Sequence, residues 1–103
     1  MTDPQRKLSA AELAEAGLSG WRVTGEVLAA TFGTRNFSTG LELVNRIGAS
    51  AEEANHHPDL TLTYREVGVT LTSHDVSGIT IRDIDLARTI SGHAADLGVA
   101  AEE

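Results

Sequence analysis

No cysteine occurs among the 103 residues. Disulfide frameworks, thiolate zinc sites and cysteine nucleophiles are therefore excluded together. No run of about 18 or more apolar residues is present, so no membrane span is expected. Met1 to Lys7 is polar and lacks the apolar core of an export signal. These absences fit a cytoplasmic protein. Basic residues are also few, 8 Lys+Arg against 15 Asp+Glu, for a net charge of −7. Direct nucleic-acid binding needs a basic face to displace counterions from phosphate, so it is not expected here.

What is present is an ordinary globular composition, 41% hydrophobic, and a length suited to one domain. Residues 1–7 read as a loose tail and 8–103 as the domain. Leu8-Ser9-Ala10-Ala11-Glu12-Leu13 has the pattern of a helix start. Ser9 can cap the amide three residues on, Glu12 can reach back, and Leu8 and Leu13 can staple the turn. Gly17 suits the left-handed stop. Trp21 to Phe32 reads as a hairpin turning at Gly25-Glu26. A long helix follows over about Phe37 to Ala54, capped by Asn36 or Ser38, with Phe37, Leu41, Val44, Ile47 or Gly48, and Ala51 as its apolar stripe. Gly48 suggests close packing on a sheet.

Leu60, Leu62 and Tyr64 alternate with Thr61, Thr63 and Arg65 as a third strand. Arg65-Glu66 turns the chain into a fourth strand, Val67 to Ser73. Ile79 to Ile84 repeats the helix-start pattern, with Thr80 as cap and Asp83 as a shortened capping-box partner. Ile84, Ala87, Ile90, Ala94 and Leu97 form that helix's buried stripe, and Gly98 ends it. The expected fold is α+β: a four-stranded antiparallel sheet with three helices packed on one face, in the order α-β-β-α-β-β-α. Thr61, Thr63, Thr70 and Thr72 would lie on the open face.

Three of the four histidines gather in two short segments, Glu52-Glu53-Ala54-Asn55-His56-His57-Pro58 and Thr72-Ser73-His74-Asp75. Proline disfavours helix in the residue before it, so His57 should stand where the long helix breaks. Glu52 and His56, four apart, would share a face if the helix reached that far. His93 reads as a surface helix residue, Trp21 as core or interface, and Asp83 with Thr80 as a helix cap.

The spaced set Glu52-x3-His56-His57-Pro58-x5-Tyr64-x9-His74-x8-Asp83 resembles the signature of the pterin-4a-carbinolamine dehydratase family. The likeness extends to Trp21, the Phe32 to Phe37 segment, Gly78-x-Thr80-x-x-Asp83 and Leu86-Ala87, and covers roughly residues 8 to 97. It implies the helix-and-hairpin order read above, and a homodimer or homotetramer. It also implies loss of water from a 4a-hydroxytetrahydropterin, with a functional link to an aromatic amino acid hydroxylase. The family's catalytic histidines match His56, His57 and His74. Its pterin-contacting residues match Asn55, His56, His57, Thr72, Ser73, His74 and Asp75. Leu60 stands where some members carry an aromatic residue, and Asn55 where some carry an acidic one.

The chemistry suits these residue types. Hydroxide leaves poorly unless an acid protonates it, and the adjacent ring nitrogen must lose a proton. Imidazole can do either at neutral pH. His56 and His74 would be the acid/base groups, and His57 would orient the pterin. Asn55 and the backbone near Ser73 would read its amide edge, and Asp75 would pair with a ring N–H or orient His74. No redox step is involved, so no cofactor and no metal are expected. A zinc site of three histidines with Glu52 or Asp75 is disfavoured while the helix continues, because adjacent helical residues diverge by about 100°. The alternative from the resemblance is a non-catalytic protein-binding or assembly-chaperone member.

Overall fold

A computed structural model describes residues 3–102. Residues 1, 2 and 103, the outer ends of the expected tail and domain, lie outside it. The chain runs α1 (Ala10–Glu15), β1 (Arg22–Thr24), β2 (Val27–Gly33), α2 (Phe37–Ala54), β3 (Asp59–Leu62), β4 (Glu66–Leu71), α3 (Ile81–Asp96) and β5 (Ala100–Glu102). The sheet is antiparallel throughout, in the order β1-β2-β4-β3. The expected α+β order is present, with one added strand. β5 pairs Ala100–Glu102 with Gly33–Thr31, on the β2 edge whose other half carries β1. Ala-Ala-Glu has no strand pattern of its own. It pairs because the chain reverses after α3 at Gly98, whose φ of 71° suits a residue without Cβ.

Local signals account for most boundaries. Ser9 and Glu12 form the reciprocal capping box at α1, and Thr80 and Asp83 form another at α3. Asn36 caps α2 by accepting from the Thr39 amide. Thr24 pairs with Val27 across a two-residue turn, and Gly25 at φ 62° is the first-position glycine of a tight hairpin. β2 and β4 alternate, sending Leu28, Ala30, Phe32, Val67, Val69 and Leu71 into the core. Thr61, Thr63 and Thr70 are exposed and Thr72 is half-buried.

Three readings need correction. The buried stripe of α2 is Gly40, Leu43, Ile47 and Ala51: Ile47 and Ala51 are as expected, but Gly40 and Leu43 take the places expected of Phe37, Leu41 and Val44. Phe37 and Leu41 are 47% and 45% exposed. Close packing occurs at Gly40, where a Cβ would come within 2.7 Å of Leu62 Cδ1, whereas one at Gly48 would meet nothing within 4 Å. Finally, β3 stops at Leu62 and Tyr64 lies in the connecting loop, 67% exposed. There the Thr63 amide bonds the Glu66 carbonyl, and the Arg65 carbonyl accepts from the Thr34 and Arg35 amides instead of from a neighbouring strand.

The core joins the inward sheet residues to Ile79, Ile84, Leu86, Ala87, Ile90 and Ala94. Trp21 packs edge-on to Phe32 at 6.0 Å between ring centroids, with its Nε1–H on Ser91 Oγ at 2.9 Å. It is a half-buried residue packed against the core with a satisfied polar tip. Among the described residues, no helix is long and apolar enough to cross a membrane.

Candidate functional site

The end of α2 builds the first half of the site. Asn55 adopts a left-handed conformation, φ 51° and ψ 42°. The Asn55 amide donates to the Glu52 carbonyl, and the His56 amide to the Ala51 carbonyl. This double reversal satisfies the last carbonyls and turns the chain off the helix axis. The helix is therefore ended at Asn55, before Pro58 can act. Asparagine tolerates this conformation better than other residues with a Cβ.

The reversal sends the paired histidines to different partners. His56, its side chain 10% exposed, meets the fully buried Asp83 through Nε2 and Oδ1 at 2.6 Å. His57 is exposed and pairs with Glu52. The expected Glu52–His56 pairing is thus replaced by Glu52–His57, because His56 has left the helical face it would have shared with Glu52.

The second half is the turn after β4. An isolated antiparallel bridge joins Ser73 to Gly78, closing a tight loop over His74–Ser77 in which Ser77 has φ 51°. The buried Ser73 hydroxyl lies 2.8 Å from Asp83 Oδ2 and 2.8 Å from Thr80 Oγ1. Asp83 Oδ2 also accepts from the Thr80 amide at 2.9 Å. Thr80 Oγ1 accepts from the Arg82 amide and Nε, at 3.2 and 3.3 Å.

These contacts fix proton positions. A carboxylate can only accept, so Ser73 donates to Asp83, and the Thr80 hydroxyl donates to Ser73. Asp83 Oδ1 is left to accept from His56, which requires the proton on Nε2. Nδ1 of a neutral His56 is then the ring's free base. The carboxylate read from sequence as a helix cap performs that task with one oxygen and orients His56 with the other. The signal for this was its fixed spacing after His74, together with a capping box that occupies only one of its two oxygens.

His56 borders a cleft of about 310 Å³ between α2 and α3, with Ser50, Glu53, Arg82 and Asp85 on its walls. Arg82 carries the connection onward, donating to Asp75 Oδ1 at 2.8 Å. That hydrogen bond holds the Asp75 carboxyl below its usual range. Asp75 thus faces Arg82 and Gln5. His74 is exposed in the turn, and its side chain makes no hydrogen bond among the described residues.

The structure therefore joins His56 and Ser73 directly through Asp83. Asp75 is linked to the cleft wall through Arg82, whereas His57 and His74 do not line the cleft. Thr72 points elsewhere, donating to the Glu26 carbonyl at 2.7 Å. His93 is half-buried, with Nε2 2.7 Å from Ser50 Oγ, where a surface position was expected. A larger cavity, about 660 Å³, lies between α1 and the first hairpin, and no histidine lines it. Among the described residues, no three His, Asp or Glu side chains converge as a metal-binding group.

Comparison with known proteins agrees with this architecture. Residues 6–93 match the family model described as pterin 4 alpha carbinolamine dehydratase. A relative from Thermosynechococcus vestitus, named "Putative pterin-4-alpha-carbinolamine dehydratase", is 48% identical over 79 residues, covering 77% of this chain and 83% of its own. One of the same name from Thermomicrobium roseum is 45% identical over 74 residues, covering 72% and 80%. The crystal structure of a transcriptional coactivator/pterin dehydratase from Brucella melitensis superposes with a TM-score of 0.83 at 32% identity, over 86% of this chain and 99% of that one. A pterin dehydratase-like protein identified as a RuBisCO assembly factor in the alpha-carboxysome shares the fold at TM-score 0.60 and 13% identity, over 91% and 96%. With the match running from the first capping box through α3, the chain belongs to the pterin 4 alpha carbinolamine dehydratase family.

Proposed function

We propose that this protein dehydrates a pterin-4a-carbinolamine by histidine acid/base catalysis. The observation that carries the reading is the buried Asp83 carboxylate bonded to His56 at the edge of a cleft. A pure scaffold gains little from a carboxylate, two hydroxyls and an imidazole arranged as one proton-ordered chain. A dehydratase gains a base of defined tautomer.

In the reaction the C4a–oxygen bond breaks, the departing hydroxide takes up a proton, and the adjacent ring nitrogen gives one up. Water and quinonoid dihydropterin result with no net redox change. His56 Nδ1 takes the ring-nitrogen proton. His74, exposed in the turn after β4, delivers a proton to the hydroxyl. His57, paired with Glu52, orients the pterin, and Asn55 contributes to reading its polar edge. Substrate of this kind is made by an enzyme that hydroxylates its target with tetrahydropterin and oxygen, so the protein serves tetrahydropterin recycling. It acts as a homo-oligomer.

The test is direct. Carbinolamine dehydration, followed by absorbance with purified protein, is expected to be accelerated by the wild type. His56→Ala and His74→Ala are each expected to lose about 10²-fold or more in kcat. Absence of acceleration by the wild type would remove the catalytic reading. The exposed apolar row of Phe37 and Leu41 on α2 favours a second, protein-binding reading, under which both histidine variants would leave partner assembly unchanged.

A further inference from the structure

The segment before α1 runs across the turn that carries His74. The Leu8 amide donates to the Ile79 carbonyl at 2.8 Å, one residue before the cap of α3. The methylenes of Lys7 lie over Gly78: a Cβ there would stand 3.0 Å from Lys7 Cδ and 3.1 Å from Cγ. Gln5 Nε2 reaches Asp75 Oδ2 at 3.4 Å. At its other end the segment is tied to α1 by Arg6, whose two nitrogens meet the Glu12 carboxylate at 2.9 and 2.6 Å.

The turn beneath needs such support. It is closed by one bridge, Ser73–Gly78, and contains a left-handed serine, Ser77. A non-glycine residue in that conformation costs on the order of 1–2 kcal/mol and persists where its surroundings hold it. Asp75 is gripped from one side by Gln5 and from the other by Arg82, which borders the His56 cleft. From the turn, hydrogen bonds reach the cleft through Ser73–Asp83, Ser73–Thr80–Arg82 and Asp75–Arg82.

We propose that residues 5–8 are a strap that positions the His74 turn against the His56 cleft, with Gln5 and Lys7 as positioning residues and Asp75 as the junction between strap and cleft. The inference rests on the reading of His74 as an acid in the dehydration. Gly78 lets the Lys7 stem lie close on the turn, because a Cβ there would press on it and make it shift by a few tenths of an ångström.

The experiment compares the full-length wild type with Gln5→Ala/Lys7→Ala and with Gly78→Ala, which crowds the Lys7 stem while keeping the strap's residues. Amide hydrogen exchange, melting temperature, and kcat and KM for carbinolamine dehydration are measured on each. In the wild type the Leu8 amide is expected to exchange at least about ten-fold slower than in a free peptide. Both variants are expected to raise exchange at Leu8, Val76 and Ser77 about ten-fold. They should lower kcat several-fold with a smaller change in KM, and leave the melting temperature nearly unmoved. Lys7→Met, which keeps the packing stem, should retain wild-type kcat.

Free-peptide exchange at Leu8 in the wild type, or variants that loosen the turn at unchanged kcat, would overturn the strap. Failure of the catalytic reading looks different. The wild type would then show no dehydration while Leu8 and the turn remained protected, and the positioning role would be overturned along with it.

Discussion

At Asp83, one residue does two jobs, and a single-atom change separates them. Asparagine keeps the shape of the side chain but presents an NH₂ where an oxygen stood. Facing His56, that NH₂ would force Nε2 to accept and move the ring proton to Nδ1, removing the free base. Facing the other way, it would oppose the Ser73 hydroxyl and the Thr80 amide, both of which donate to Oδ2. Asp83→Asn is therefore expected to lower kcat by about 10²-fold or more with little change in KM, and to cost about 1 kcal/mol of stability through the weakened cap. Steady-state kinetics and denaturant unfolding of the same sample check both halves. Ser73→Ala removes one donor and leaves the carboxylate facing His56, so its kcat should fall much less. Equal loss in the two variants would show that the pairing with His56 is not what matters.

At the scale of elements, the end of α2 decides where both histidines go. Asn55→Gly should keep the left-handed reversal and the wild-type stability. Asn55→Ala should lose about 1–2 kcal/mol, the cost of that conformation for a residue with Cβ. If the Asn55 amide also reads the pterin, the glycine variant will raise KM at constant kcat. The start of α1 offers a pH test. Arg6 and the Ser9 amide hold the Glu12 carboxyl at about 2, against an ordinary 4.5. A carboxyl lowered by folding stabilises the fold above its unfolded value and loses that contribution as pH falls. The wild type should thus exceed Glu12→Gln in stability near neutral pH, and the gap should close between about pH 4.5 and 2. Added salt should narrow the gap at pH 7, because the pair is at the surface. Caps, turns and strand alternation were legible in the sequence because each is a local rule carried by a few neighbouring residues. The burying face of α2 was legible only in its second half, at Ile47 and Ala51. In the first half an apolar row of Phe37, Leu41 and Val44 competes with Gly40 and Leu43, and the fit of Gly40 against Leu62 is not visible locally. The histidine segments were legible as a group, but their partners were not. Pairing His56 with Asp83 across 27 positions depends on how α2 ends and α3 begins.

At the scale of the whole molecule, that competing apolar row remains on the surface. Phe37 and Leu41 are about half exposed, Tyr64 is 67% exposed, and Val44 is half-buried. Gly48 continues the row, with open space where a Cβ would stand, so another helix could approach closely there. An exposed apolar helix row of this kind on a small domain is a common site of self-association, and a chain of this size gains stability from it. The net charge of −7 works against it, since like-charged copies repel at low ionic strength. The two effects respond oppositely to salt. Screening shortens electrostatic reach to about 8 Å at physiological ionic strength and leaves apolar burial intact. Sedimentation at micromolar concentration is therefore expected to show assembly that tightens from low to physiological salt. Leu41→Glu should yield a monomer under both conditions, with its His56–Asp83 pair undisturbed because Leu41 is about four turns of helix away from His56. A wild type that stays monomeric at every salt concentration would leave the exposed row of α2 without a second copy to cover it. Assembly weakened by salt would place the contact on charged groups instead.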